Sequence, residues 1–152
     1  MNYPYEVEYK GKTIRCRTLE DAQRAMETFE GGSLIRADSP WTKEEFEKFT
    51  GRIRYPQRQV LAKLLEYGTT AWLEDWKLRD VVGLTTNREL AGTLSGISKV
   101  ALMFGIDPRR VFIQTNIYKH SKPQRVYQIT SGFLQAAAKH EWPSKNDLKE
   151  PR

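Results

Sequence analysis

Residues 78–99, LRDVVGLTTNRELAGTLSGISK, contain two helical patterns separated by a short turn. The first pattern stops at Gly83, because glycine readily adopts the left-handed conformation in which many helices end. Thr86 and Glu89 then have the spacing of a capping box, which predicts a second and longer helix over residues 87–104. This stretch therefore predicts a helix, a tight Gly-Leu-Thr-Thr turn and another helix.

The longer predicted helix has one apolar face and one polar face. At about 100° per residue, the stripe predicted to be buried consists of Leu90, Leu94, Ile97, Ala101 and Phe104. The opposite side has no acidic or large residue and consists of Arg88, Gly92, Ser95 and Lys99. Glycine inside a helix costs about 1 kcal/mol relative to alanine. Gly92 and Gly96 therefore predict the close approach of either a bound partner or a neighbouring helix.

Helices and strands are also predicted on both sides of this stretch. Before it, helices are predicted over residues 41–49 and 55–67, and Asp75 is predicted to cap the short helix that ends at Gly83. After it, the pattern predicts strands over 111–117 and 125–130, a helix over 132–140 and a disordered tail over 142–152.

The second predicted strand pair has an unusual charge balance. Residues 115–130, TNIYKHSKPQRVYQIT, include no carboxylate, and residues 108–140 contain no Asp or Glu at all. The same region holds six cations, equal to the net charge of +6 of the whole chain: Arg109, Arg110, Lys119, Lys122, Arg125 and Lys139. A carboxylate next to a phosphate would repel it, so this local excess predicts contact with a polyanion. The alternative is that the basic hairpin is only solvated surface and contacts no polyanion.

The order of these elements, and residues 78–99 in particular, resembles the winged helix-turn-helix superfamily over approximately residues 55–138. The turn after Gly83 is about a residue longer than the commonest version of that motif. In the superfamily, the second helix of the pair enters the major groove of DNA and the hairpin, called the wing, contacts the adjacent backbone. The resemblance implies that these parts are the helix 87–104 and the wing 111–130.

The candidate nucleic-acid contacts lie in and just before these two elements. Arg88 suits a bidentate contact with guanine or phosphate, Asn87 suits the edge of adenine, and the lysines suit phosphates. The full predicted set is Thr86, Asn87, Arg88, Gly92, Ser95, Lys99, Arg109, Arg110, Tyr118, Lys119, His120, Lys122 and Arg125. No catalytic residue and no cofactor is predicted.

Composition also limits the other classes of protein to which the chain could belong. The chain has 152 residues, enough for one principal domain, and has no apolar run near the roughly 20 residues that cross a bilayer. Its N-terminus lacks the apolar centre of a signal peptide, which favours a soluble, cytoplasmic protein. Cys16, His120 and His140 are too few and too scattered to predict a metal site.

The N-terminal residues 1–32 predict a small ββα unit, with strands over 5–9 and 13–17 and a helix over 18–29. Residues 1–40 contain six basic and seven acidic residues, so this part is near neutral and does not resemble a DNA reader. It is instead a candidate site for a protein partner. The predicted fold class is thus α+β, with a ββα unit followed by a winged helix domain over residues 41–141.

The predicted function is sequence-dependent or general binding of double-stranded DNA by a transcriptional regulator. A homodimer is expected, because one helix and one wing read few base pairs. Its candidate interface is the C-terminal helix with Phe133, Leu134, Ala137 and Ala138, and the alternative is that this helix only covers the core. The main alternative is a protein-interaction module or inhibitor, such as a phage-encoded or accessory subunit, because fold does not settle function.

A metal-dependent nuclease is a more distant alternative. Asp75-Trp76-Lys77 matches the D-x-K half of a nuclease motif, with Asp38 or Glu74 as the second carboxylate. That chemistry needs carboxylates that converge on a divalent cation, whereas Asp75 is predicted to be a helix cap.

Overall fold

The computed structural model describes residues 5–9, 12–16, 18, 20 and 39–150. Two strands come first, β1 (Tyr5–Tyr9) and β2 (Lys12–Cys16). The rest of the described chain comprises α1 (Lys43–Arg52), α2 (Tyr55–Tyr67), β3 (Leu73–Glu74), α3 (Asp75–Val82), α4 (Asn87–Met103), β4 (Phe112–Lys119), β5 (Lys122–Ile129) and α5 (Ser131–Lys139). Short 3₁₀ turns lie at Gly68–Thr70 and Pro108–Arg110. The described chain is α+β, as predicted, while the helix predicted over 18–29 lies almost entirely outside the described residues.

The five described strands form one antiparallel sheet in the order β2-β1-β4-β5-β3. The N-terminal strands, predicted as part of a separate unit, join this sheet because β1 pairs with β4. The β4–β5 hairpin is longer than predicted and closes through a two-residue turn, His120 and Ser121, with φ of 52° and 65°. Positive φ at both positions is typical of a type I′ turn, whose twist matches that of the strands.

Helix α4 supplies much of the core, and its predicted stripe is confirmed at four of five positions. Leu90, Leu94, Ile97 and Ala101 are buried, but Phe104 is 36% exposed. The prediction for Phe104 was wrong because α4 ends at Met103 and Gly105 then turns the chain with φ of 71°. Ile106, which is 1% exposed, takes the next core position, and its N–H donates to the carbonyl of Ala101 at 2.9 Å.

The two ends of the turn between α3 and α4 follow the sequence closely. Gly83 ends α3 in the left-handed conformation, with φ of 77°. The Thr86 hydroxyl accepts the backbone N–H of Glu89 at 3.1 Å, which is one half of the predicted capping box. The Glu89 carboxylate accepts instead from the Thr85 hydroxyl at 2.7 Å. Asp75, however, is the first residue of α3 and not its cap, because Glu74 occupies the N-cap position at the end of β3.

The C-terminal part of the chain packs back onto the helices. Phe133 and Ala137 of α5 are buried in the core, whereas Leu134 is half-buried and Ala138 is exposed, so two of the four side chains of the candidate interface cover the core. The segment predicted as a disordered tail folds back over α2, where Arg58 Nε donates to the carbonyl of Asp147 at 2.6 Å. The Ser144 backbone N–H and hydroxyl both donate to the Asp147 carboxylate at 2.8 Å, which closes a tight turn.

Candidate nucleic-acid interface

A groove runs between the N-terminal half of α4 and the β4–β5 hairpin. Its wider part is a cavity of about 600 Å³, and a neighbouring cavity of about 230 Å³ continues along α4. The helix side of this helix–hairpin groove is formed by Asn87, Arg88, Ala91, Ser95 and Ser98. The hairpin side is formed mainly by Gln114, Asn116, Pro123, Arg125 and Tyr127.

Gly92 lies on α4 between Arg88 and Ser95, two residues that line the groove. Nothing lies within 4 Å of the position that a Cβ on Gly92 would occupy, so this turn of the helix presents bare backbone. Gly96 differs, because a methyl group there would overlap the side-chain amide of Gln57 on α2. Of the two explanations predicted for the glycines, Gly96 therefore serves internal helix packing, and Gly92 alone leaves space for an external partner.

Two arginines approach the groove from opposite sides. Arg88 belongs to the first turn of α4, Arg125 belongs to β5, and both are exposed. Burial raises the pKa of the Tyr127 phenol above its usual value, whereas the hydrogen bond and charge of Arg125 lower it and Asp75 raises it. Arg125 and Tyr127 are two positions apart on β5, and both line the groove.

One carboxylate also borders the groove. Asp75 accepts the backbone N–H of Trp76 at 2.7 Å and a hydrogen bond from the Gln124 side-chain amide. The hairpin sequence has no acid, but β3 pairs with β5 and so brings the start of α3 beside it. The surface next to the hairpin is therefore less uniformly basic than the sequence predicted, with an anionic point at one end.

The first residues of α4 are already hydrogen-bonded within the protein. Thr86 is engaged as the helix cap, and its hydroxyl lies 3.2 Å from the Glu89 carboxylate. The Asn87 Oδ1 accepts a hydrogen bond from Arg79 Nη1 at 2.9 Å. Because adenine recognition uses both the carbonyl and the amide nitrogen of asparagine, Arg79 competes for one half of the contact predicted for Asn87.

Sequence reasoning missed several polar residues at this site, among them Gln114, Asn116 and Arg79. Gln114 and Asn116 alternate along β4 and lie opposite Tyr127 and Arg125, so period-two alternation was a signal that could have identified them. Arg79 had no such signal, because its contact with Asn87 depends on the turn between two helices.

Two of the predicted cations are used elsewhere. Arg109 makes a bidentate pair with Asp107, with distances of 3.1 and 2.8 Å. Arg110 pairs with Glu45 of α1 at 2.8 and 3.2 Å, and its guanidinium lies 4.9 Å from the centre of the Trp41 ring. Its hydrogen bond lowers the pKa of Glu45 to about 2, although burial opposes this shift.

Arg110 therefore serves as an internal link between α1 and the segment before β4, and we remove it from the candidate interface. Its side chain is 17% exposed. Sequence patterns could not reveal this ion pair, because the carboxylate partner is 65 positions earlier in the chain.

The remaining predicted residues lie outside the groove lining. Lys119 and Lys122 are opposite each other beside the turn that contains His120. Strand alternation places both lysines on the other face of the hairpin from Arg125 and Pro123. Lys99 is exposed on α4, about one turn beyond Ser95, and Tyr118 is half-buried opposite Pro123. The structure thus brings Asn87, Arg88, Ser95 and Arg125 together, with Gly92 beside them.

The carboxylates of the nuclease alternative have other partners. Glu74 accepts a hydrogen bond from the Trp76 indole, and Lys77 lies 5.3 Å from the centre of the Tyr67 ring. Asp38 is outside the described residues. Within the described ranges, no three His, Cys, Asp or Glu side chains form a group that could hold a metal ion.

Comparisons of this chain with protein-family models, curated proteins and solved structures found no match. Across the described part of the chain, every helix is too short or too polar to cross a membrane.

Proposed function

We propose that this chain binds double-stranded DNA as a winged helix protein. The element order α2-β3-α3-α4-β4-β5, with β3 paired to β5, supports this assignment. The observation on which the proposal rests is the groove that places Arg88 of α4 and Arg125 of the hairpin on facing walls. Two guanidiniums on either side of a channel suit one strand of phosphates.

The proposed complex has α4 in the major groove and the hairpin against the neighbouring backbone. A helix with its side chains is about 10–12 Å wide and fits a major groove about 12 Å wide. Gly92 and Ser95 let the helix approach closely, since neither carries a long side chain. The sugar-phosphate strand beside the major groove then runs through the helix–hairpin groove, between Arg88 and Arg125.

The test is binding to random-sequence duplex DNA over a series of salt concentrations. Each phosphate contact contributes about 0.9 to the slope of log affinity against log salt. We expect a steep negative slope for the wild type and a loss of at least about tenfold in affinity for the double variant Arg88→Glu/Arg125→Glu.

The matched control is Lys145→Glu/Lys149→Glu, which makes the same charge change at exposed positions of the C-terminal segment. Both variants should keep the wild-type circular dichroism spectrum and Tm. Equal affinity of the two variants would reject this interface, and an affinity of the wild type that does not depend on salt would reject DNA binding itself.

The proposed biological role is regulation of transcription. Asn87, whose side chain suits a base edge, provides a means of sequence preference, while Arg88 and Arg125 provide the backbone contacts. Selection of bound duplexes from a random pool distinguishes a sequence-dependent regulator from a general DNA-binding protein. Failure to enrich any sequence would exclude a sequence-dependent regulator.

A second candidate function is protein contact through the C-terminal end of α4. Leu102, Met103 and Phe104 are consecutive large apolar residues that are exposed, with Leu102 at 63%. They lie about 20 Å along the helix axis from Arg88, so this patch and the groove need not compete. We assign the patch to a second copy of the chain, because paired half-sites extend the number of base pairs that are read.

Light scattering tests this assignment. We expect a concentration-dependent dimer for the wild type and a monomer for Leu102→Ser/Met103→Ser with unchanged Tm. A wild-type monomer at all concentrations, with and without DNA, would contradict it.

A further inference from the structure

We propose that Arg79 determines the base preference of the interface, because it holds the carbonyl of Asn87 and leaves only the amide N–H groups to contact a base. This inference rests on the proposed function and deepens it, since it names the chemical group that the first turn of α4 reads: a hydrogen-bond acceptor on a base edge. Arg79 is in the last turn of α3, across the interhelical turn from Asn87.

The turn between α3 and α4 holds these two residues in a fixed relation. The Leu84 N–H donates to the carbonyl of Arg79 at 2.9 Å, and the Gly83 N–H donates to the carbonyl of Asp80 at 3.2 Å. This pair of bonds is typical of a Schellman motif. Leu84 also packs against the core, and Asn87 is the first residue of α4. The backbones of Arg79 and Asn87 are therefore both fixed before a ligand binds.

The hydrogen bond between the two side chains decides which end of the Asn87 amide is available. Arg79 Nη1 donates to Asn87 Oδ1 at 2.9 Å. A guanidinium has no acceptor, so only the oxygen of the amide can bond to it. Among the described residues, Arg79 has no carboxylate partner and Asn87 Nδ2 has no acceptor. Asn87 is exposed and lines the groove, so its N–H groups are the part left for a ligand.

A lone donor selects bases differently from a complete amide. Asparagine recognises adenine with two hydrogen bonds, one donated to N7 and one accepted from N6, and the second needs Oδ1. With Oδ1 engaged by Arg79, Asn87 can still donate to N7 of either purine, to O6 of guanine or to O4 of thymine. Cytosine presents only a donor in the major groove. The wild type should therefore disfavour cytosine at this position and show no preference for adenine over guanine.

The experiment selects bound duplexes from a random pool with the full-length chain, and then compares duplexes that differ at one base pair. Arg79→Met removes the donor but keeps a long side chain, which frees Asn87 Oδ1. This variant should prefer adenine over guanine at one position by at least about fivefold, the lower value for a bidentate contact. Arg79→Ala, as a second variant, should shift the preference in the same direction. Both should keep the wild-type Tm.

Two controls separate this effect from a loss of charge. Lys77→Met removes one exposed cation from the same helix and should keep the wild-type base preference. The double variant Arg79→Met/Asn87→Ala should show no preference for adenine, because the side chain that reads the base is gone.

Three results would overturn the inference while salt-dependent binding leaves the proposed function standing. They are an unchanged base preference in Arg79→Met, a preference for adenine already present in the wild type, and an equal shift in Lys77→Met. If the wild type shows no salt-dependent binding to duplex DNA, the inference and the proposed function are both overturned.

Discussion

Arg110 and Arg88 were both predicted to contact nucleic acid, but their surroundings in the fold differ. Arg110 is 17% exposed and bound to Glu45 and Trp41. Arg88 is exposed at the edge of the helix–hairpin groove and, within the described residues, has no carboxylate partner. The difference shows that a local excess of cations does not identify the cations available to a ligand. Whether a cation is available to a ligand depends on the carboxylates that pack against it in the folded chain.

Removal of the Arg110 side chain should have the largest effect on stability in this comparison. Arg110→Ala leaves the partly buried Glu45 carboxylate without its main partner, a loss of about 1–3 kcal/mol for charged hydrogen bonds. Chemical denaturation should show this loss, whereas Arg88→Ala should change the free energy of unfolding by less than about 0.5 kcal/mol. DNA affinity should fall more for Arg88→Ala than for Arg110→Ala. If both variants have the same stability, the distinction between internal and available arginines fails.

The local features of the fold could be predicted from the sequence, because they depend on neighbours in the chain. The cap at Thr86 and the buried positions from Leu90 to Ala101 follow from hydrogen bonding and periodicity within a few residues. The predicted burial of Phe104 was wrong, since the left-handed turn at Gly105 interrupts the periodicity and exposes this side chain.

The candidate site depends on contacts between distant parts of the chain, and these were harder to predict. The groove requires α4 and the hairpin to lie side by side, and Asp75 reaches it only because β3 pairs with β5. Likewise, the pairing of β1 with β4 decides whether the N-terminal strands form a separate unit or extend the wing. Composition and periodicity carry no information on such pairings.

Gly92 and Gly96 give a sharper test of the same distinction on one helix. Gly92→Ala adds a methyl group in open space and should stabilise the protein by about 1 kcal/mol, the helix propensity difference. It should also weaken DNA binding, because the methyl group stands on the face proposed to approach the bases.

Gly96→Ala should lack that gain in stability. Its methyl group displaces the Gln57 side chain, whose Oε1 accepts the Arg54 backbone N–H at 2.8 Å at the start of α2. Loss of that hydrogen bond offsets the gain in propensity, so the two variants should differ by about 1 kcal/mol in thermal or chemical denaturation. Equal stability of the two variants would mean that Gln57 moves aside without loss. Equal DNA affinity of Gly92→Ala and the wild type would place Gly92 outside the interface.

The smallest expected effect is the pH dependence of the Arg110–Glu45 pair. The pKa of Glu45 is about 2 in the folded protein and 4.5 as its ordinary value, so folding favours the ionised carboxylate. The stabilisation is then fully present above about pH 4.5 and is lost as the pH falls towards 2. Because Glu45 is about one-third exposed, solvent screening limits this part to about 1 kcal/mol. Urea denaturation of the wild type and Arg110→Ala at several pH values should therefore show a stability difference that narrows between pH 4.5 and 2. A constant difference over this window would assign the role of Arg110 to its contact with Trp41 and not to the ion pair.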